Sequence, residues 1–228
     1  MDKTTHAKQH PTLKPKKQLQ DNWTLIEKYQ STTFQSAANY SEDTHTLPCF
    51  STLAAFAALW KHTTYSNPSE LFFDLQRNRI RKITCENGDQ KTVDGLYLFK
   101  NGIQPKWEDP ANEEGSSLIV EFTRPTKEEV DTIWRDVVFS LIGGTFPHSE
   151  CVNGLRMLDR LKKHKVVKFE VWVSVGVKKW KKGSGEYEMM SGKIDDIIGH
   201  FHRLFNVTVP MSVHTVSTKD HFVANKNK

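Results

Sequence analysis

The sequence has few cysteines and no long hydrophobic run. Its three cysteines, Cys49, Cys85 and Cys151, form neither a paired framework nor a Cys-x-x-Cys motif. Such sparse usage is typical of a reducing compartment and argues against a disulfide-stabilised secreted domain. The longest apolar stretches are too short to span a bilayer, and the N-terminus does not resemble a signal peptide. We therefore expect a protein of the cytoplasm or the nucleus that has no membrane partner.

Motifs of metal binding and catalysis are also scarce. His200 and His202 lie at i and i+2 of a helical segment, so they would point to different faces and could not hold one metal ion. The glycines at Gly183 and Gly185 lack the Lys-Ser/Thr continuation of a phosphate-binding loop. No nucleophile stands in recognisable spacing with a general base. The sequence therefore predicts no metal, no cofactor and no enzyme activity.

Positive charge and aromatic residues are plentiful. The formal net charge is +5, and the 228 residues include six tryptophans and 13 phenylalanines. Positive charge favours polyanionic partners, because Lys and Arg contact phosphates. Residues 1–18 are polar and lack apolar periodicity, so we expect a disordered basic tail there. One domain is expected at 19–223, with a flexible C-terminus at 224–228.

Three segments carry a single apolar stripe at helical spacing. The first is capped by Ser51 or Thr52, the second begins with a capping box of Thr126 and Glu129, and the third is predicted to start at Ser191. Residues 118–122 and 166–175 alternate as strands do, and 83–93 is typical of a hairpin that turns at an Asn-Gly pair.

The alternation in 166–175 assigns two faces to that strand. Phe169 and Val171 share one face, whereas Lys168, Glu170 and Trp172 share the other. Lys and Trp on the face away from the core indicate a ligand-binding surface. Strands interleaved with one-sided helices predict an α+β fold, with helices on one face of a sheet and the other face open.

Residues 99–110 read Phe-Lys-Asn-Gly-Ile-Gln-Pro-Lys-Trp-Glu-Asp-Pro, which resembles the FKxGIxPxWED signature of the cap-binding translation initiation factor 4E family. The resemblance covers roughly residues 19 to 223. It implies a curved antiparallel sheet of about eight strands, with three helices on the convex face and the cap site on the concave face. Further family landmarks follow in the same order, namely Leu-Gln-x-x-Trp at 19–23, Trp134, Leu-Ile-Gly at 141–143, Lys-x-x-x-Trp at 168–172 and Ser-Thr-Lys at 217–219.

The resemblance implies how an N7-methylated guanine, which is cationic, would be held. Trp107 is expected to form one face of an aromatic sandwich. Glu108 is expected to accept hydrogen bonds from the guanine edge, and Trp172 to pack against the N7 methyl group. The second stacking residue is expected to be Tyr40, and Phe34 is the alternative if the loop carries an insertion at a different point. Either is a weaker cation–π face than the Trp that most members carry.

The same resemblance implies cations for the cap phosphates. Arg160 and Lys168 fall on the family's phosphate-binding Arg and Lys. The stretch between them is longer than usual and adds Lys162 with neighbouring lysines. These lysines either reach further phosphates or form a solvated run of charge. Lys219 is a further predicted contact at the far end of the cap.

The convex face departs from the family pattern. Family members use a Trp in a V-x-D-F-W segment to bind helical YxxxxLΦ peptides of scaffold and repressor proteins, and here Ala57 replaces that Trp. Trp60, one turn later, either compensates or belongs to the core, and Arg135 replaces a customary Leu. The predicted partner contacts are Leu53, Trp60, Arg135 and Gly143.

These observations leave several functions open. The first is binding of capped mRNA, with a plain or hypermethylated m7G cap, in translation initiation or its regulation. A scaffold of the initiation factor 4G type or a 4E-interacting protein would then occupy the convex face. The alternatives are an interaction scaffold or translational repressor with weak or lost cap binding, and a single-strand binder that ignores guanine methylation. Ala57, together with an insertion before Tyr97, is similar to divergent trypanosomatid members of the family.

Overall fold

The structure is a computed structural model, and it describes most of the predicted domain. Residues 1–16 of the predicted 1–18 tail and the predicted site residues Tyr40, Phe34 and Lys219 lie outside the described residues. Lys162 lies in a described helical turn, but its side chain is outside the described part. The described residues are 17–30, 44–72, 82–84, 88, 90–177, 180–204 and 211–217.

The described strands pair antiparallel in one open, curved sheet. Seven of them follow the order β2-β1-β5-β7-β8-β6-β9, while the short β3 pairs with β1 and β4 with β5. The predicted α+β fold is confirmed, as are the strand at 118–122 and the pairing of the 83–93 hairpin. The predicted strand at 166–175 is confirmed as far as Val173, where it ends two residues early. The strands are β1 Gln18–Tyr29, β2 Thr44–Thr46, β3 Phe50–Thr52, β4 Lys82–Thr84, β5 Gln90–Lys100, β6 Ser116–Thr123, β7 Val152–Arg160, β8 Val166–Val173 and β9 Met211–Ser217.

Two of the predicted helix caps are confirmed. The Thr52 hydroxyl accepts a hydrogen bond from the backbone N–H of Ala55 at 3.2 Å. The Thr126 hydroxyl accepts from the N–H of Glu129, whose carboxylate accepts in return from the N–H of Thr126 at 2.7 Å. The described helices are α1 Leu53–His62, α2 Ser69–Phe72, α3 Lys127–Ile142, α4 Leu161–His164 and α5 Gly185–Leu204. None of them is both long and apolar enough to cross a bilayer.

The predicted start of the third helix at Ser191 is wrong, because α5 begins at Gly185. The Ser184 hydroxyl accepts a hydrogen bond from the N–H of Tyr187 at 3.2 Å, which satisfies one of the unpaired donors at this end. Two glutamates in the first turn add favourable charge there. The apolar stripe starts only further along, because the first turns are largely exposed, and it therefore did not reveal the true beginning.

The helices cover one face of the sheet and form the main core with it. Trp134 of α3 is fully buried in this core, and its indole N–H donates to the backbone carbonyl of Tyr65 at 2.8 Å. Phe169 and Val171 of β8 point into the same core, whereas Trp172 belongs to a separate cluster on the opposite face. The two faces assigned to β8 from alternation are therefore confirmed. We call the sheet face opposite the helices the open face.

Candidate functional site

The open face carries a small apolar cluster of its own. Strands β1, β5, β7 and β8 contribute to it, because alternate residues of a strand share a face. Gly154 lies opposite Trp172 in the β7–β8 pairing, and a side chain there would collide with the Phe99 ring, since a Cβ would come within 2.4 Å of it. The cluster consists of Ile26, Tyr97, Phe99, Leu158 and Trp172, with Ile103 and Trp107 packed at its edge.

Two tryptophans of the predicted site are stacked on each other. The rings of Trp107 and Trp172 lie 3.7 Å apart between centroids, with 15° between their planes. Trp172 is only 2% exposed, and Phe99 meets its ring edge-on. Trp107 therefore covers Trp172, and a planar ligand reaches Trp172 only after Trp107 moves. Contact of Trp172 with an N7 methyl group stays a prediction that requires this movement.

Three largely buried polar side chains form a row across the open face beside the tryptophans. Tyr97, Arg156 and Glu170 are direct neighbours on β5, β7 and β8. The Arg156 guanidinium lies 3.2 Å from a Glu170 carboxylate oxygen and donates to the Tyr97 hydroxyl at 3.4 Å. Its central carbon is also 4.8 Å from the centroid of the Tyr97 ring. Burial raises the pKa of Tyr97, and the nearby Arg156 charge counters part of that rise.

Glu170 connects this row to the predicted site residues. Its carboxylate accepts the Trp172 indole N–H at 3.1 Å and lies 2.9 Å from the Lys168 ammonium. Burial alone would raise the pKa of Glu170, but the charges of Arg156 and Lys168, with hydrogen bonds from Lys168 and Trp172, hold that pKa at about 2. Glu170 is therefore ionised near neutral pH and positions both Trp172 and Lys168. The sequence had placed Glu170 on this face without a role.

Two of the predicted phosphate-binding residues, Lys168 and Arg160, lie on β8 and β7, further along the sheet than Trp172. Trp172 lies four residue steps beyond Lys168 in β8, which at ~3.3 Å per step is about 13 Å. Arg160 ends β7, and its guanidinium lies 3.3 Å from the Asp94 carboxylate of β5. The structure thus brings Lys168 and Arg160 to one end of the open face. Asp94 was not identified from the sequence.

The loop that bears Trp107 and Glu108 is held in shape by Asp109. One of its carboxylate oxygens accepts the backbone N–H of Gln104 at 2.8 Å, and the other accepts that of Ala111 at 2.9 Å. These bonds tie the two ends of the loop together. Glu108 itself is exposed and therefore accessible to a ligand beside Trp107.

Asn112 stabilises the same loop through hydrogen bonds to its backbone. It is 2% exposed, and its side-chain amide donates to the backbone carbonyls of Gln104 and Lys106 at 2.9 and 2.8 Å. Asn153 of β7 in turn donates to the Asn112 side chain at 3.0 Å. The loop is thereby anchored to the sheet. Both asparagines were missed from the sequence, because their role depends on contacts between distant segments.

A cavity of about 440 Å³ lies next to this loop. Thr24 and Ile26 of β1 form one wall, and Thr44 and Thr46 of β2 another. Residues 101–106, which directly precede Trp107 in the chain, line a third side of the cavity. Tyr40 and Phe34 belong to the connection between β1 and β2, which lies outside the described residues. The volume is in the range of small-molecule sites.

A second cavity, of about 450 Å³, opens on the helical side between α1 and α3. We call it the helix groove. Leu53 and Phe139 stand at 43% and 45% exposure, and the Trp60 and Phe139 rings lie 4.9 Å apart. Three of the predicted partner contacts line it, but Arg135 does not. Its side chain pairs with Asp136 at 2.9 Å. Phe139 was missed. The lining residues are Leu53, Phe56, Ala57, Trp60, Lys61, Phe139, Ile142 and Gly143.

An open antiparallel sheet with helices on one face, and aromatic and basic side chains on the other, defines an α+β ligand-binding module. Residues 18–212 match the family model of eukaryotic initiation factor 4E, and the chain belongs to that family. The family expected from the 99–110 signature is therefore confirmed. The comparisons do not bear on the similarity to trypanosomatid members, which stays a prediction.

Related proteins agree with this assignment. Eukaryotic translation initiation factor 4E1 of Drosophila melanogaster is 27% identical over 176 residues, which are 76% of this chain and 54% of the relative. The translation initiation factor NCBP of Oryza sativa subsp. japonica is 28% identical over 125 residues, 55% of this chain and 49% of the relative. The chain thus spans about half the length of these curated relatives.

Solved structures share the fold. A complex of C. elegans eIF4E-3 with the 4E-binding protein Mextli has a TM-score of 0.59 at 17% identity, over 90% of this chain and 96% of that one. A schistosome eIF4E complexed with m7GpppG and 4E-BP has a TM-score of 0.59 at 23% identity, over 91% and 92% of the two chains. At these identities the likeness establishes the fold.

Proposed function

We propose that this chain binds the 7-methylguanosine 5′ cap of mRNA on its open face and acts in translation initiation or its regulation. The observation that carries the proposal is the order of groups along that face. Stacked tryptophans come first, and Lys168 and Arg160 follow at one end. A cap has the same order, with a flat cationic base followed by ribose and phosphates. The separation of about 13 Å along β8 suits a base and its phosphate chain.

The base is proposed to stack on Trp107. N7 methylation makes guanine cationic, and an indole is the strongest cation–π face among side chains. Exposed Glu108, next in the chain, offers its carboxylate to the guanine N1–H and amino group. Tyr40 is the proposed opposite face of the sandwich. Asp109 and Asn112 support the function by holding this loop in shape.

Titration with m7GTP and with GTP, followed by quenching of tryptophan fluorescence, tests the cap-binding proposal. We expect saturable quenching and an affinity for m7GTP about tenfold or more above that for GTP, because only the methylated base is cationic. Equal affinity for both nucleotides would support single-strand binding without methyl recognition. No binding of either by the folded protein would leave the interaction scaffold as the function.

We also propose that the helix groove binds a segment of a partner protein. The groove is apolar, and two of its side chains, Leu53 and Phe139, remain nearly half exposed. The C. elegans and schistosome relatives are solved with a 4E-binding protein, so a partner of that kind, or of the initiation factor 4G type, is the proposed occupant. Ala57 leaves space in the groove, and Trp60 with Phe139 supplies its aromatic surface.

Phe139→Asp is expected to weaken binding of a labelled helical peptide that carries the YxxxxLΦ motif by about tenfold or more, because it places a charge in the apolar groove. Fluorescence anisotropy measures this change. Met189→Asp is the matched control, since Met189 is 57% exposed on α5 and does not line the groove. Equal weakening by both variants, or no binding to the wild type, would contradict the proposed groove function.

A further inference from the structure

We infer that Asp94 limits how much the phosphates add to ligand affinity, because it competes with them for Arg160 and so leaves a larger share of the affinity to the base. The inference rests on the proposed cap-binding function. The Asp94 carboxylate lies 3.3 Å from the Arg160 guanidinium. The Asp94 side chain is 13% exposed and that of Arg160 36%, so the carboxylate lies deeper than the cation that it holds.

Lys168, the other described phosphate cation, is held in the same way. Its ammonium lies 2.9 Å from Glu170, and its side chain is 23% exposed against 6% for the carboxylate. Each cation therefore faces outward over a buried counter-charge. A phosphate that binds here must compete with a carboxylate that is already in place.

The small net charge of the ion-paired groups on the open face also limits how much the phosphates add to the affinity. Among the described residues of this face, three ion pairs join the cations Arg156, Lys168 and Arg160 to the carboxylates Glu170 and Asp94, a net charge of +1 for these five groups. A triphosphate carries several negative charges, so most of its charge is not balanced by these groups. Phosphates consequently add less to the affinity than unpaired cations would allow. The base therefore supplies a larger share of the affinity of any nucleotide that binds here.

Asp94→Asn removes the competing charge and keeps the shape of the side chain. We expect the affinity for m7GTP to rise about two- to fivefold, the size of a partly exposed ion pair. The affinity for 7-methylguanosine, which has no phosphate, should not change. The affinity for GTP should rise by the same factor as that for m7GTP. Both affinities should also fall more steeply with increasing salt concentration. Glu188→Gln is the matched control, because it removes one negative charge from an exposed site on α5.

A double-mutant cycle assigns the effect to Arg160. In a protein that already carries Arg160→Gln, Asp94→Asn should not raise the affinity for m7GTP, because the guanidinium for which Asp94 and the phosphates compete is absent. Asp94→Ser removes the same charge and replaces Asp94→Asn if that variant does not fold. Unchanged or lower m7GTP affinity, a gain that persists without Arg160, or an equal gain in Glu188→Gln would overturn the inference. A wild type that does not prefer m7GTP to GTP would refute the proposed function itself, whatever Asp94→Asn does.

Discussion

Trp107→Ala is expected to lower the affinity for m7GTP by roughly 10- to 100-fold, the range of one base–aromatic stack with its cation–π part. Trp107 packs at the edge of the open-face cluster and is only partly buried. The variant should therefore keep its fold, which a thermal melt checks. Fluorescence or calorimetric titration with m7GTP measures the loss.

Trp60→Ala is the control for this variant. It also removes one tryptophan, but from the helix groove on the other side of the sheet. We expect it to bind m7GTP as the wild type does and to bind the groove peptide more weakly. If Trp107→Ala and Trp60→Ala affect m7GTP equally, Trp107 is not the stacking residue. The cap-binding proposal would then lose its main support.

Glu170→Ala is expected to lower the free energy of unfolding by about 3–5 kcal/mol at pH 7, as loss of one partner from a buried ion pair does. The carboxylate is the counter-charge of Arg156 and Lys168 and accepts the Trp172 N–H. Its removal leaves largely buried Arg156 beside Tyr97 without that charge. Urea denaturation measures the change. Asp195→Ala, at an exposed position in the middle of α5, should shift the same quantity by less than about 0.5 kcal/mol.

The effect of Glu170→Ala should depend on pH. The folded-state pKa of Glu170 is about 2, below the value of about 4.3 expected for an unfolded chain. A depressed pKa contributes stability that is present in full above the unfolded pKa and is lost as the pH falls through the folded one. The difference in unfolding free energy between wild type and variant should therefore shrink between about pH 4 and pH 2. A difference that stays constant over this range would show that Glu170 does not act through its charge.

Local patterns predicted much of this molecule. The capping box of Thr126 and Glu129 and the two faces of β8 depend on residues a few positions apart, so they are visible in the sequence. The beginning of α5 was mispredicted because its first turns are largely exposed and the apolar stripe starts beyond them, so only the cap at Ser184 marks the start. The groove residue Phe139 was missed because the gap between α1 and α3 depends on how those helices pack.

The sequence by itself determined the family, the three long helices apart from the start of α5, and the side of β8 that carries Lys168 and Trp172. Only the tertiary structure decided which groups meet. Arg156 pairs with Glu170, Arg160 with Asp94, and Trp107 covers Trp172. Each of these contacts joins two strands, or a loop and a strand. They depend on strand register and on the path of the loop, which are set by the packing of the whole sheet and not by neighbours in the chain.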